Sequence, residues 1–358
     1  MSTATTIDIG TEEVLARRDG ALGRITLNRP RAINALTLEM VRAIETALDG
    51  FLADDAVRAV LLDGAGERGF CAGGDIVGLR DSALGDGSAA RAFWAEEYHL
   101  NARIARFAKP VVAVMDGIVM GGGIGLAGHA AHRLATERLV SAMPEVGIGF
   151  APDVGGTWLL SRPAGELGTH LALTGERLGA RDAVAAGLAD RVVAAAAVEA
   201  LIADLAAGTA PEAAIDRAAA VPVEIPDGRP PADLAWIDAA YAHDEVEAIL
   251  ADLDARPEEG AAKAATALRR GSPTSLKVTL RALRDARALP DLESALEREY
   301  RISTAFLDHP DFVEGIRAQV VDKDRSPTWT PPRLADVGPA AVARFLAPAD
   351  PDLELPRA

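Results

Sequence analysis

The sequence predicts an α/β protein with a helical C-terminal third. Up to about Val193, short aliphatic runs bounded by Gly, Pro or Asp alternate with segments whose apolar residues recur at three- and four-residue spacing. Beyond Thr209–Asp233, a stretch holding five prolines, only the helical spacing remains. Of the 358 residues, 49% are hydrophobic, enough for a large core and far from a disordered composition.

Taken in order, Ala21–Leu27 and Ala59–Asp63 read as buried strands. Between them Thr37 can cap a helix in which Leu38, Val41, Ile44, Leu48 and Leu52 form one apolar face through about Ala53. A second helix covers Ala90–Phe107, Pro110 opens the strand Val111–Met115, and Gly121–Gly123 lead into another helix before the strands Arg133–Thr136 and Ser141–Met143. An Ala-rich helix spans Val198–Ala207. The proline-rich stretch after it is the expected boundary, dividing a core of residues 1–205 that carries the active site from a helical region of residues 206–358 packed on it. In that region Asp233–Tyr241, Val246–Asp254, Gly260–Arg269, Thr274–Arg287 and Leu292–Leu307 read as helices, with Pro290 and Pro310 as stops.

Thirty-seven Lys and Arg against 53 Asp and Glu leave a net charge of −16, which repels nucleic acid and anionic lipid. No apolar run reaches the ~18 residues of a membrane-spanning helix. Met1 to Gly10 has neither the basic start nor the apolar run of a secretory signal. The single cysteine, Cys71, excludes an intramolecular disulfide and a Cys-cluster metal site. A cytoplasmic protein with no nucleic-acid or membrane partner is expected.

The chemistry concentrates in three Gly-rich segments: Phe70-Cys71-Ala72-Gly73-Gly74-Asp75, Met120 through Gly125, and Met143-Pro144-Glu145 followed by Pro152-Asp153-Val154-Gly155-Gly156. Glycine lets another molecule approach the main chain, so turns at Gly74 and Gly122 could each aim an N–H at one carbonyl oxygen. Alternatively, both are ordinary helix N-termini. Gly123 to Gly128 fits the dinucleotide pattern G-x-G-x-x-G with Glu145 about twenty residues on, but no strand is expected to run directly into its first glycine. There is no G-x-S-x-G elbow, no phosphate-loop motif and no H-E-x-x-H helix, and His129 with His132 lacks a third metal ligand. Glu145 and Asp153 lie on a mostly apolar, Gly-rich loop that could turn both carboxylates into one pocket. Residue types alone leave a second reading, solvated acids with Asp153 capping a helix from Val154 through Leu160.

Together the segments resemble the crotonase, or enoyl-CoA hydratase/isomerase, superfamily over nearly the whole chain. Ile25-Thr26-Leu27-Asn28-Arg29-Pro30, Asn34-Ala35-Leu36, FCAGGD at 70–75, MGGGIG at 120–125 and MPE at 143–145 carry the resemblance. MPEVGIGFAPDVGG at 143–156, SPTSLKVTL at 272–280, EYRIS at 299–303 and DKDRSPTW at 322–329 are similar to its 3-hydroxyisobutyryl-CoA hydrolases. The resemblance implies a spiral of repeated ββα units with a helical C-terminal extension. It also implies an oxyanion hole from the Gly74 and Gly122 N–H groups, Glu145 and Asp153 as catalytic acids, and Glu97 at the acyl group. The Arg29 to Asn34 loop would lie along CoA. No metal or redox cofactor is implied, CoA being part of the substrate, and homo-oligomerisation stays open.

One departure separates the reactions. The hydratase pattern has a Glu two residues after the last glycine of the turn, and this position is Gly125. Water addition to an enoyl thioester needs a base and an acid, so losing one disfavours hydration. The expected reaction is hydrolysis of a short branched 3-hydroxyacyl-CoA, with 3-hydroxyisobutyryl-CoA foremost. Glu145 would attack the carbonyl or activate water, and Asp153 would bind the substrate hydroxyl or orient Glu145 and water.

Overall fold

The computed structural model describes residues 5–226, 228–229 and 231–357. Met1 to Ala4, on which part of the N-terminal reading rests, lie outside the described residues, as do Asp227, Pro230 and Ala358. The described strands are β1 (Thr5–Ile7), β2 (Val14–Asp19), β3 (Leu22–Leu27), β4 (Ala59–Gly64), β5 (Val111–Met115), β6 (Ile118–Met120), β7 (His132–Thr136), β8 (Val140–Ala142) and β9 (Arg191–Val193). Every element after β9 is helical, and no described helix is long and apolar enough to cross a membrane.

The chain groups into two compact units that interleave along the sequence. The first comprises 1–74, 99–141 and 177–228, the second 75–98, 142–176 and 229–358. The 205/206 point falls inside the helix Val198–Ala206 of the first unit.

In the first unit a seven-stranded sheet runs in the order β1-β2-β3-β4-β5-β7-β9, antiparallel through β3 and parallel from there on. Parallel neighbours need crossovers, and the helix Leu38–Ala53 supplies the one from β3 to β4. Alternation sorts the side chains to two faces. Leu22, Ala59, Leu61, Val112, Val114 and Leu134 form one buried face with the helices Val198–Ala206 and Pro211–Ala219. On the other, Gly23 meets Phe51: a Cβ at Gly23 would lie 2.7 Å from that ring. With both faces covered, the strands read as continuous apolar runs, which is why they were legible.

Local chemistry sets the details. Thr37 caps the helix Leu38–Ala53 by accepting from the Met40 N–H at 3.2 Å. Its buried face is Met40, Val41, Ala43, Ile44, Ala47, Leu48 and Phe51, while Leu52, expected there, is exposed and Leu38 half-buried. The proline-rich stretch is not all linker, because Pro211 starts the helix Pro211–Ala219 from the first helical turn, where its missing N–H costs nothing. Pro310 likewise opens a helix, Pro310–Ile316. The strand β2 escaped the sequence reading because Leu15 points outward between buried Val14 and Ala16, hiding the alternation.

The second unit is built of helices. Pro273–Ala286 and Leu292–Leu307 are buried along much of their length, capped by Ser272 and Asp291, which accept from Ser275 N–H (3.1 Å) and Ser294 N–H (2.8 Å). Leu292–Leu307 also buries polar groups, among them Glu299 and Ser303.

Candidate active site

Within the first unit the two glycine turns run side by side. Cys71 N–H donates to Ile118 O (3.1 Å) and Met120 N–H to Cys71 O (3.0 Å). A side chain on Gly123 would strike the Cys71 carbonyl, and one on Gly73 (φ +110°) would come 3.3 Å from Met120 O and 3.6 Å from Gly122 N. Close approach therefore demands glycine here. Gly122 is the first residue of the helix Gly122–Ala127, so its N–H has no acceptor within the helix. Buried Asn34 supports the neighbouring loop: its amide donates to Ala65 O, Gly69 O and Phe70 O, and its carbonyl accepts from Arg29 N–H at 2.8 Å.

The dinucleotide pattern dissolves on inspection. A strand, β6, does precede the turn, but Gly121 and Gly122 separate it from Gly123, as expected, and it pairs with β8 in a separate two-stranded sheet. Gly123 and Gly125 lie inside the helix, and Glu145 starts a 3-10 turn, Glu145–Ile148, instead of ending a strand.

The second unit gathers the acids. Glu97, Glu145 and Asp153 are 2%, 5% and 7% exposed, and a fourth acid, Glu299, only 1%. Asp153 does not cap a helix: the helix there is Gly156–Leu160, behind Gly155. Instead Tyr98 O–H donates to Asp153 Oδ2 at 2.9 Å, and Tyr98 and Ser303 hydroxyls lie 2.8 Å apart. With Asp153 ionised, Ser303 donates to Tyr98 and Tyr98 to Asp153. The Glu299 carboxylate accepts from Gly155 N–H (2.6 Å), Thr157 N–H (2.8 Å) and Thr157 Oγ1–H (2.5 Å).

Burial without a partner cation raises all four acids. Desolvation first, and then the Asp153 charge, hold Glu145 and Glu97 well above the usual carboxylate range. Burial lifts Asp153 to about 7 against the opposing Tyr98 hydrogen bond. Glu299 is pushed up to about 8 by burial, against the bonds from Thr157 and Gly155. Glu145 Oε2 and Glu97 Oε1 are buried with no hydrogen-bond partner among the described residues. Such a cluster holds protons near neutrality, so one carboxyl can act as acid beside another acting as base.

Trp94 stacks on Phe150 at 5.4 Å, and Phe312 packs on Phe150 at 5.2 Å, making an apolar wall from residues in the same unit. Trp158 is half-buried under the Arg162 guanidinium at 3.5 Å. Sequence reasoning missed Tyr98, Glu299 and Ser303. Adjacency to Glu97, and the four-residue spacing of the two within EYRIS, were the available signals.

Fold and site define a class. The sequence profile of the enoyl-CoA hydratase/isomerase family matches residues 22–346, and the chain belongs to that family. It is 40% identical to the zebrafish (Danio rerio) mitochondrial 3-hydroxyisobutyryl-CoA hydrolase over 96% of this chain and 92% of the relative. With the Homo sapiens enzyme of the same name it shares 39% identity over 91% and 86%. Among solved structures, a carnitinyl-CoA dehydratase from Mycobacterium thermoresistibile matches with a TM-score of 0.91 at 47% identity, covering 96% of this chain and 99% of that one. An enoyl-CoA hydratase from Rhodobacter sphaeroides 2.4.1 matches with a TM-score of 0.88 at 44% identity, covering 95% and 98%. The α/β fold is thus of the crotonase type.

Proposed function

We propose that this chain hydrolyses a short branched 3-hydroxyacyl-CoA thioester, 3-hydroxyisobutyryl-CoA foremost, to the free acid and CoA. The observation that carries the reading is the pair of buried, proton-retaining acids Glu145 and Asp153 in one cluster, in a chain with glycine at 125. Its similarity to curated hydrolases over nearly its whole length supports the same reaction.

In this reading Glu145 is the central catalytic group. In its ionised form it attacks the thioester carbonyl, expelling CoA as the thiolate and leaving a mixed anhydride that water then hydrolyses, or it takes a proton from the attacking water as the C–S bond breaks. Its unpartnered Oε2 and apolar surroundings suit either step. Asp153, steered by Tyr98, binds the substrate hydroxyl or orients Glu145 and water. Glu97 meets the acyl group. For the glycine turns the proposed role is the oxyanion hole, with Gly74 and Gly122 N–H groups polarising the thioester oxygen. The Arg29 to Asn34 loop is the proposed CoA contact. The reaction calls for water and no metal or redox cofactor, CoA arriving with the substrate. A cytoplasmic location and a place in valine degradation complete the proposal, and homo-oligomerisation stays open.

A second reading, water addition to an enoyl-CoA, is favoured by the names of the two solved structures. Purified protein with 3-hydroxyisobutyryl-CoA, isobutyryl-CoA and crotonyl-CoA separates them. Selective thiol release from the 3-hydroxyacyl thioester supports hydrolysis. Loss of the crotonyl thioester absorbance without thiol release supports hydration and rejects the proposal.

A further inference from the structure

The segment that carries Asp153 has a conformation its own sequence does not favour. Asp153 O accepts from Gly156 N–H at 2.7 Å, closing a four-residue turn. Its central residues, Val154 at φ +54° and Gly155 at φ +79°, both have positive φ, the mark of a type I′ turn. Gly155 suits that position, whereas a β-branched residue at positive φ is an outlier that surrounding structure must hold in place.

The holding group comes from the helix Leu292–Leu307. Glu299 Oε2 accepts from Gly155 N–H inside the turn, and Oε1 accepts from the N–H and Oγ1–H of Thr157, the residue that follows it. Four residues on, the same helix presents Ser303, which reaches Tyr98, and Tyr98 reaches the Asp153 carboxylate. One helical segment thus holds the main chain after Asp153, at Gly155 and Thr157, through Glu299 and the Asp153 side chain through Ser303 and Tyr98.

We propose that Glu299 is a positioning residue that clamps the Asp153–Gly156 turn and so fixes the Asp153 carboxylate for catalysis. The inference rests on the proposed hydrolysis only in making Asp153 a working group of the site. Glu299 itself, with its oxygens occupied by Gly155 and Thr157, is not a catalytic residue.

The decisive variant is Glu299→Gln. It keeps the shape, but a carboxamide has one acceptor oxygen, so its –NH2 must face either the Gly155 or the Thr157 N–H. The expected result is a folded protein whose kcat for thiol release falls by about 10²-fold, the cost of misplacing a reacting group by about 1 Å, with KM near the wild-type value. In an Asp153→Asn background the same substitution should cost little more, because the group it positions is already gone. A crystal structure of Glu299→Gln should show the turn reorganised and the Tyr98–Asp153 bond lost. Should that variant not fold, Thr157→Val removes one of the three donors and should lower kcat in the same non-additive way. Wild-type kcat in Glu299→Gln, additive losses with Asp153→Asn, or an unchanged turn in the crystal overturns the inference. If the wild-type protein releases no thiol, the hydrolase reading fails, and the crystal structure alone decides the clamp.

Discussion

Replacing Asp153 by Asn should make the protein gain heat resistance over the wild type as pH rises. The sign follows from burial: the folded state lifts the Asp153 carboxyl from 3.8 to about 7, so the native protein holds this proton where the unfolded chain has released it. The stability associated with the protonated acid is complete below the unfolded value, falls as pH climbs toward about 7, and is flat above. With these two values the penalty grows by roughly 3 kcal/mol between pH 5 and pH 9. Asparagine does not titrate and escapes it. Its removal of a like charge from Glu145 and Glu97 acts in the same direction. At about 2.1 cal/mol/K per residue, 358 residues give an unfolding entropy of roughly 0.75 kcal/mol/K. The melting temperature of the variant, measured against the wild type by calorimetry, should therefore rise by about 4 °C between pH 5 and pH 9. A difference that stays constant or shrinks with pH would refute the claim that Asp153 is buried without compensation.

Three further outcomes are expected. Glu145→Gln should lower turnover by about 10²–10⁴-fold, with acyl-CoA binding still detectable by titration calorimetry. Tyr98→Phe removes the hydrogen bond that lowers the Asp153 proton affinity, so the acidic limb of the kcat/KM profile should move upward. Gly23→Ala, whose Cβ would sit 2.7 Å from the buried Phe51 ring, should cost about 1–3 kcal/mol in thermal or urea unfolding while leaving kcat alone.

The strands β3, β4 and β5 and the helix Leu38–Ala53 were legible because burial on both faces, or a clean apolar stripe with a Thr cap, leaves its period in the residues. The helix Pro211–Ala219 was not, since counting prolines ignores that Pro belongs at the first helical position. Glu145 and Asp153 could be picked out by their company of glycines and an apolar loop. Glu299 and Ser303 could not be tied to Asp153, because the contacts join residues 55, 205 and 144 positions apart and only folding brings them together. The interleaving of the two compact units has the same cause, contacts that no composition shift records.

The shared fold does not choose among hydrolysis, hydration and dehydration, the three reactions in the names of its relatives. The choice falls to where carboxyls stand. At position 125 there is no side chain to move a proton, so the proposed chemistry falls to acids placed elsewhere. Those acids gather around Asp153. Four carboxyls share a buried cluster with no cation beside them among the described residues, and a valine next to Asp153 is held at positive φ. Apolar side chains and a relaxed turn would fill the same space with less strain. Two independent sources of strain, buried acids and a valine at positive φ, meet in one segment, which favours the proposed working site over a merely structural core.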